Sequence, residues 1–170
     1  MTKISEKSCY SLNGRLAFVD SYNSPSNGDP LMRIGFSTGA IARGNYRSAL
    51  ESLRRLQVQV VELSALRMSE LAPLVHDLPH LDLSCFSYVS FHAPSAFEPS
   101  EEGSVVEALR FVADNEIPVV VHPDTISDFA LWREFGGLLV VENMDNRKAI
   151  GRTSSELTKI FEQLPNAGFC

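Results

Sequence analysis

Three side chains that can bind a metal ion or transfer a proton each follow a short run of strand-type residues. They are His92, His122 and Glu142, which follow the runs 88–91, 119–121 and 138–141. His122 directly precedes Pro123, and a proline favours extended geometry in the residue before it, as at the end of a strand; His92 lies two residues before Pro94. Because residues that follow consecutive parallel strands converge on one face of a sheet, the spacing predicts one shared cleft for all three.

Neutral imidazole nitrogens and a carboxylate oxygen together suit a divalent cation such as zinc, manganese or iron. A lone carboxylate buried at a strand end is costly without a partner or a metal, so Glu142 is predicted to be both a metal ligand and an acid/base group. Tight sites generally use four or more ligands, and we therefore expect weak binding at an incomplete site. His76 and His80 do not follow strand-type runs and are predicted to be structural.

Further polar side chains near the same predicted edge are candidates for substrate contact. Glu62 follows Val60-Val61 and is predicted to bind substrate or to support a histidine, with a salt bridge to Arg67 as the structural alternative. Guanidinium groups beside a metal suit phosphate or carboxylate, although basic residues ahead of a helix are also ordinary surface. The candidates in the loop after Glu142 are Asn143, Asp145, Arg147 and Arg152.

From Arg33 onward, β-type runs alternate with segments of helical period, which is typical of parallel strands joined by crossover helices. Strands are predicted at 34–36, 58–63, 88–91, 119–121 and 138–141, with a sixth beginning at Phe169. Helices are predicted after an Asn45 cap, over 69–77, after Ser104, over 126–135, and after Ser154 or Ser155. These elements make five β/α units.

Composition limits the class of protein. With 170 residues, 44% hydrophobic and 21% charged, the chain resembles an ordinary soluble globular domain. It shows no secretory-signal pattern and no apolar run of membrane length, so a cytoplasmic location is expected. Cys9, Cys85 and Cys170 are too widely spaced for a Cys-x-x-Cys site and are predicted to be reduced. A net charge of -6 makes nucleic acid an unexpected partner.

Residues 1–31 are polar and turn-rich except at Leu16–Val19, so they are predicted to be an N-terminal extension of a domain over 32–170. An eight-stranded parallel barrel takes about 250 residues, and five or six units cannot close it. A doubly wound sheet usually carries a glycine-rich loop after its first strand, and Gly35-Phe36-Ser37-Thr38-Gly39 lacks that spacing. The predicted fold is therefore α/β, a partial TIM barrel whose C-terminal strands are missing.

Four segments together resemble the xylose isomerase-like TIM barrels, which include sugar-phosphate isomerases and epimerases and endonuclease IV. They are 33–39, 90–94, 120–123 and 141–145, and the resemblance covers about residues 32–170. In the isomerases and epimerases, the carboxylate that ends strand five binds the metal and takes part in proton transfer, and Glu142 matches it. The resemblance also aligns three residues of this chain with zinc ligands of endonuclease IV, namely His92, His122 and Glu142. At Ser37-Thr38, however, this chain lacks the histidine that endonuclease IV carries on its first strand.

The resemblance implies a metal-dependent isomerase or epimerase of a sugar or sugar phosphate, with manganese, magnesium or zinc as the cofactor. The cation would polarise a carbonyl while Glu142 moves the adjacent proton. The other family ligands and the second acid/base group come largely from strands six to eight, so these 170 residues are expected to be inactive alone. Two alternatives stay open: an endonuclease IV-like phosphodiesterase acting at abasic DNA sites, and a non-catalytic barrel fragment whose strand edges assemble, for example as a homo-oligomer.

Overall fold

The computed structural model describes residues 7–12, 15–21 and 32–170, with side chains from Ile34 onward. Within these residues, eight strands form one sheet in sequential order. They are β1 (Lys7–Leu12), β2 (Arg15–Ser21), β3 (Met32–Ser37), β4 (Val60–Ser64), β5 (Tyr88–His92), β6 (Val119–Val121), β7 (Leu139–Val141) and β8 (Gly168–Phe169). The six strands from β3 to β8 pair in parallel. The predicted α/β class with parallel strands is therefore confirmed.

Helices connect the parallel strands. They are α1 (Thr38–Ala42), α2 (Tyr46–Arg55), α3 (Met68–Asp77), α4 (Glu102–Asp114), α5 (Phe129–Arg133) and α6 (Ser154–Gln163), which gives the five predicted β/α units. The strand order never reverses, as it does at the switch point of a doubly wound sheet. Crossovers between parallel strands are right-handed in nearly all proteins, and with sequential strand order this places the helices on one face of the sheet; the helices accordingly share one main core with the strands. None of the helices in the described ranges is long and apolar enough to cross a membrane.

The two faces of the sheet differ in chemistry. Alternate strand residues such as Val61, Phe91 and Val121 pack with the helices in the main apolar core. The opposite face, here called the inner face, has a small apolar cluster of Val120, Val140 and Cys170. It also carries polar side chains that are at most 3% exposed: Ser37, Glu62, Ser64, Ser90 and His92. Because the helices cover only the outer face, this burial indicates that the sheet curves around its inner face.

The first two strands form an antiparallel hairpin, and β2 pairs antiparallel with β3. The predicted apolar run Leu16–Val19 lies within β2. The segment predicted to be an N-terminal extension is thus continuous with the sheet through β2, which occupies the outer edge of β3. The remaining parts of that segment, residues 1–6, 13–14 and 22–31, lie outside the described residues.

The N-terminal cap was predicted correctly for α2 and incorrectly for α4 and α6. The Asn45 side chain caps α2 by accepting from Ser48 N at 3.1 Å, as predicted. Ser104 is not a cap, because the 3-10 turn over Pro99–Glu101 leads directly into α4. Likewise, α6 is capped by Thr153 instead of Ser154 or Ser155, since the Thr153 side chain accepts from Glu156 N at 3.2 Å.

A buried carboxylate at the start of α4 fixes the position of α5. Glu102 Oε1 accepts from the indole Nε1 of Trp132 and from Ser127 N, both at 2.8 Å, and Oε2 accepts from Asp128 N at 3.1 Å. Glu102 is 3% exposed, and Trp132 is fully buried. The partners of Glu102 lie 25 to 30 residues away in the chain. The role of Glu102 was therefore not identified from sequence.

We predict that Glu102→Ala lowers the free energy of unfolding by about 3 kcal/mol, because it leaves the buried indole N–H of Trp132 and two part-buried backbone N–H groups without their acceptor. Urea denaturation followed by Trp132 fluorescence measures the loss. The matched control is Glu107→Ala in the same helix, where an exposed pair with Arg110 is removed and a loss of at most about 0.5 kcal/mol is expected. Equal losses in both variants would contradict the anchoring role of Glu102.

Asp77 links the end of α3 to the start of α2. Its Oδ2 accepts from the Tyr46 hydroxyl and, at 2.5 Å, from Arg47 Nη2. The hydrogen bond from Tyr46, followed by that from Arg47, lowers the pKa of Asp77 to about 2. Because this folded-state pKa is below the ordinary value of 3.8, the stabilisation is complete above about pH 4 and is lost as the pH falls through about 2.

We therefore predict that Asp77→Asn is less stable than the unmodified protein at pH 7 and that the difference disappears as the pH is lowered from 4 to 2. Denaturation midpoints across this range provide the measurement. The exposed Asp114 serves as the control, since Asp114→Asn should change stability little at any of these pH values. A destabilisation by Asp77→Asn that is the same at pH 7 and pH 2 would show that the charge of Asp77 is not responsible.

Candidate functional site

The carboxyl ends of three neighbouring strands bring His92, His122 and Glu142 together on the inner face. His92 is the last residue of β5, and the other two directly follow β6 and β7. One ligand-capable atom from each lies within 4.8 Å of the others. His92 Nε2 and His122 Nε2 lie 3.0 and 3.1 Å from the same atom, Glu142 Oε2. We refer to these three residues as the His–His–Glu cluster.

The side chains of the cluster reach across three strands. Strands two apart in a flat sheet are separated by roughly 10 Å, yet His92 and Glu142 touch across β6. Their side chains lean over the inner face, where the rings of His92 and His122 meet edge to face with centroids 5.0 Å apart. The fixed ring orientation directs both Nε2 atoms at Glu142.

The hydrogen bonds of His92 define its protonation. Its Nδ1 lies 2.6 Å from the carbonyl oxygen of Ala93, and a carbonyl oxygen only accepts, so Nδ1 carries a proton. In a neutral ring Nε2 would then present a lone pair to Glu142 Oε2 at 3.0 Å. Two acceptors this close need a proton or a metal cation between them.

In the metal-free protein a proton lies between the two atoms. Burial alone lowers the pKa of His92, but the charge of Glu62 and the hydrogen bond to Glu142 raise it to about 9. Burial alone raises the pKa of Glu142, but hydrogen bonds from His122 and His92 outweigh burial and lower it to about 2. The cluster is therefore built to hold a positive charge against a carboxylate.

Glu62 lies beneath the cluster and is closed off from solvent. Glu62 is the third of the five residues of β4. It is paired in register with Ser90, which precedes His92 by two residues on the same face of β5. Burial raises the pKa of Glu62 to about 7, although the charge of His92 opposes this rise. The predicted alternative, a salt bridge to Arg67, is not formed, because Arg67 pairs with Glu70.

A chain of hydroxyl groups connects Glu62 to β3. Glu62 Oε1 accepts from Ser64 Oγ at 3.2 Å, and Ser64 Oγ lies 2.5 Å from Ser37 Oγ. Glu62 Oε2 is buried with no hydrogen-bond partner among the described residues. The two serines were not identified from sequence. Their positions fit the alternation of their strands, because each lies on the same face as the inner-face residues two positions away.

The predicted substrate-contact residues of the loop after β7 lie at the surface. Arg147 Nε donates to Asp145 Oδ2 at 2.9 Å, and Arg152 pairs with Glu156 at 2.7 Å. Asn143 is exposed, and its backbone N–H donates to the Cys170 carbonyl. Within the described ranges these side chains form ion pairs and hydrogen bonds away from the His–His–Glu cluster, so their role in substrate contact stays a prediction.

A lysine in the same loop ties three strand-end loops together. Lys148 Nζ donates to Asp124 Oδ2 at 2.9 Å and to the Ser95 carbonyl at 3.4 Å. Asp124 follows β6 and Ser95 follows β5, so the contact joins the loops beside all three cluster residues. The sequence contains both Asp124 and Lys148 near predicted strand ends, but their pairing across 24 residues has no local signal.

Gly151 allows the loop after Glu142 to pack against the turn after His122. Its φ is +89°, a conformation that favours glycine. A Cβ atom there would lie 2.5 Å from Pro123 Cγ and 3.1 Å from Met144 Cγ. The Gly151 carbonyl also accepts from Met144 N at 2.8 Å. The two turns that carry His122 and Glu142 are therefore in direct contact.

The His–His–Glu cluster has the donor set of a divalent-metal site. Two imidazole nitrogens and a carboxylate suit zinc, manganese or iron, and three protein ligands leave a coordination position for substrate, as in catalytic zinc sites. Ligand atoms about 2.1 Å from a tetrahedral ion lie roughly 3.4 Å from each other, so an ion would have to spread the two N–O pairs from their hydrogen-bonding separations of 3.0 and 3.1 Å. No protein-family model, curated protein or solved structure matches this chain.

Proposed function

We propose that the protein binds one divalent cation through His92, His122 and Glu142 and catalyses proton transfer on a sugar-like hydroxycarbonyl compound, as an isomerase or epimerase. The observation that carries this proposal is the contact of His92 Nε2 with Glu142 Oε2 at 3.0 Å. Because His92 Nδ1 already donates to a backbone carbonyl, a cation at Nε2 would satisfy both facing acceptors. Backbone hydrogen bonding of this kind is what orients metal-binding histidines.

The sheet supports a barrel-type interpretation of the fold. Its parallel strands follow each other in sequential order, and the cluster lies at their carboxyl ends, which is where TIM barrels place their active sites. We propose that β3–β8 form part of such a barrel. The polar inner face would then be the wall of the active-site cleft.

Each residue of the cluster has a distinct task in this proposal. A bound cation would polarise the substrate carbonyl and its neighbouring hydroxyl. The two histidines would hold the cation. Both contact Glu142 through Oε2, and the other oxygen, Oε1, takes up the proton from carbon. The buried carboxyl of Glu62 adds negative charge beneath the cation. Because the cluster is largely shielded from water, these interactions are stronger than they would be in solvent.

The first test is metal binding by isothermal titration with zinc and manganese chlorides. We expect one ion per chain, with zinc bound more tightly than manganese. Glu142→Gln and His122→Gln should each weaken zinc binding at least about tenfold, or about 1.4 kcal/mol, because each removes one ligand. The control is His76→Gln, which changes an exposed histidine far from the cluster.

Absence of zinc binding, or full binding by Glu142→Gln, would contradict the metal site. A stoichiometry of three ions per chain would instead favour the endonuclease IV-like alternative.

The second test is exchange of carbon-bound hydrogen with solvent. In D2O with manganese, dihydroxyacetone or dihydroxyacetone phosphate should lose its C–H signals in proton NMR spectra, and Glu142→Gln should slow this loss at least about 100-fold. His76→Gln should exchange at the rate of the unmodified protein. If metal binds but neither compound exchanges, the cation site stands and the assignment to proton transfer on these hydroxyketones is wrong.

A further inference from the structure

Two buried polar atoms beside the His–His–Glu cluster face each other without forming a hydrogen bond. His122 Nδ1 and Asp124 Oδ1 are 4.0 Å apart, beyond the range of about 2.7–3.2 Å for such a bond. Neither atom has another partner among the described residues. Four buried side-chain atoms in the described part of the chain lack a partner, and three of these, counting Glu62 Oε2, surround the cluster.

The contact of His122 with Glu142 determines which ring nitrogen faces Asp124. His122 Nε2 lies 3.1 Å from Glu142 Oε2, and a carboxylate oxygen only accepts. In the neutral ring the proton is therefore on Nε2, which leaves a lone pair on Nδ1. That lone pair faces the carboxylate oxygen of Asp124. Two acceptors repel each other, so the pair stays apart.

We propose that Asp124 is a positioning residue for the cation site and that it acts through His122. When Nε2 binds a cation, the proton of the neutral ring must lie on Nδ1, which becomes a donor directed at Asp124 Oδ1. A movement of about 1 Å then closes the gap to hydrogen-bonding distance. This inference rests on the proposed function. It adds to the cluster a carboxylate–histidine–metal arrangement, in which a second carboxylate orients the ligand.

Lys148 prepares Asp124 for this role. Lys148 Nζ donates to Asp124 Oδ2 and to the Ser95 carbonyl. The other carboxylate oxygen of Asp124, Oδ1, is the one that faces His122. The two histidines are thus oriented differently. His92 is fixed in advance by the Ala93 carbonyl at 2.6 Å, whereas His122 gains its second hydrogen bond only when the cation is present.

Zinc titration of variants tests the proposal. We expect Asp124→Ala to raise the dissociation constant for zinc about 10- to 100-fold. Asp124→Asn should raise it less, because the amide oxygen still accepts from Nδ1. Lys148→Met should also weaken binding, since Asp124 loses the contact that holds it. The matched control, Asp114→Ala, replaces an exposed aspartate and should bind zinc like the unmodified protein.

The side-chain nitrogen spectrum of His122 separates positioning from a general loss of structure. In zinc-bound protein labelled with 15N, we expect a protected Nδ1–H signal from His122 that Asp124→Asn retains and Asp124→Ala loses, while the His92 Nδ1–H signal persists in all variants. If zinc binds but Asp124→Ala and Asp124→Asn bind it with unchanged affinity, or the His122 signal is absent, the inference is overturned and the metal site stands. If the unmodified protein binds no zinc, both fail.

Discussion

The site depends on a single atom, Glu142 Oε2, which both histidines of the cluster contact. A carboxylate in this largely buried position is costly unless positive charge reaches it, and His92 and His122 direct their Nε2 atoms at it from two other strands. The second buried carboxyl, Glu62, strengthens the demand for positive charge.

The outer face supplies the rigidity that this arrangement needs. The strand residues between the inner-face positions are packed into the main core with the helices, so each strand is fixed from behind. The buried Glu102 extends this support by joining the start of α4 to α5 and to the turn before it. The backbone that carries the inner-face side chains therefore has little freedom to shift. A site with contacts of about 3 Å requires such a rigid backbone.

The parts of the structure that were predictable from sequence are those with a local signal. A polar residue directly after a β-type run identified His92 and His122, and the alternation of runs identified the parallel strands. The start of α4 was misplaced by three residues and that of α6 by one or two, because several polar residues compete for the cap.

Contacts without a local signal were not predictable. Glu102 with Trp132, and Asp124 with Lys148, each join residues more than 20 positions apart. For Glu62, two roles were predicted from sequence, substrate binding and support of a histidine. Its depth beneath the cluster was not predictable, because it depends on how far β4 continues past Glu62.

The contact between Gly151 and Pro123 has a consequence for the entropy of ligand capture. Side chains on two independent loops would each lose conformational freedom on meeting a shared ligand, and that loss would reduce affinity. Here the turns that carry His122 and Glu142 are already in contact, at a spacing that leaves no room for a Cβ. Most of the ordering is therefore completed during folding, and a ligand that arrives at the cluster meets partners whose relative positions are already set.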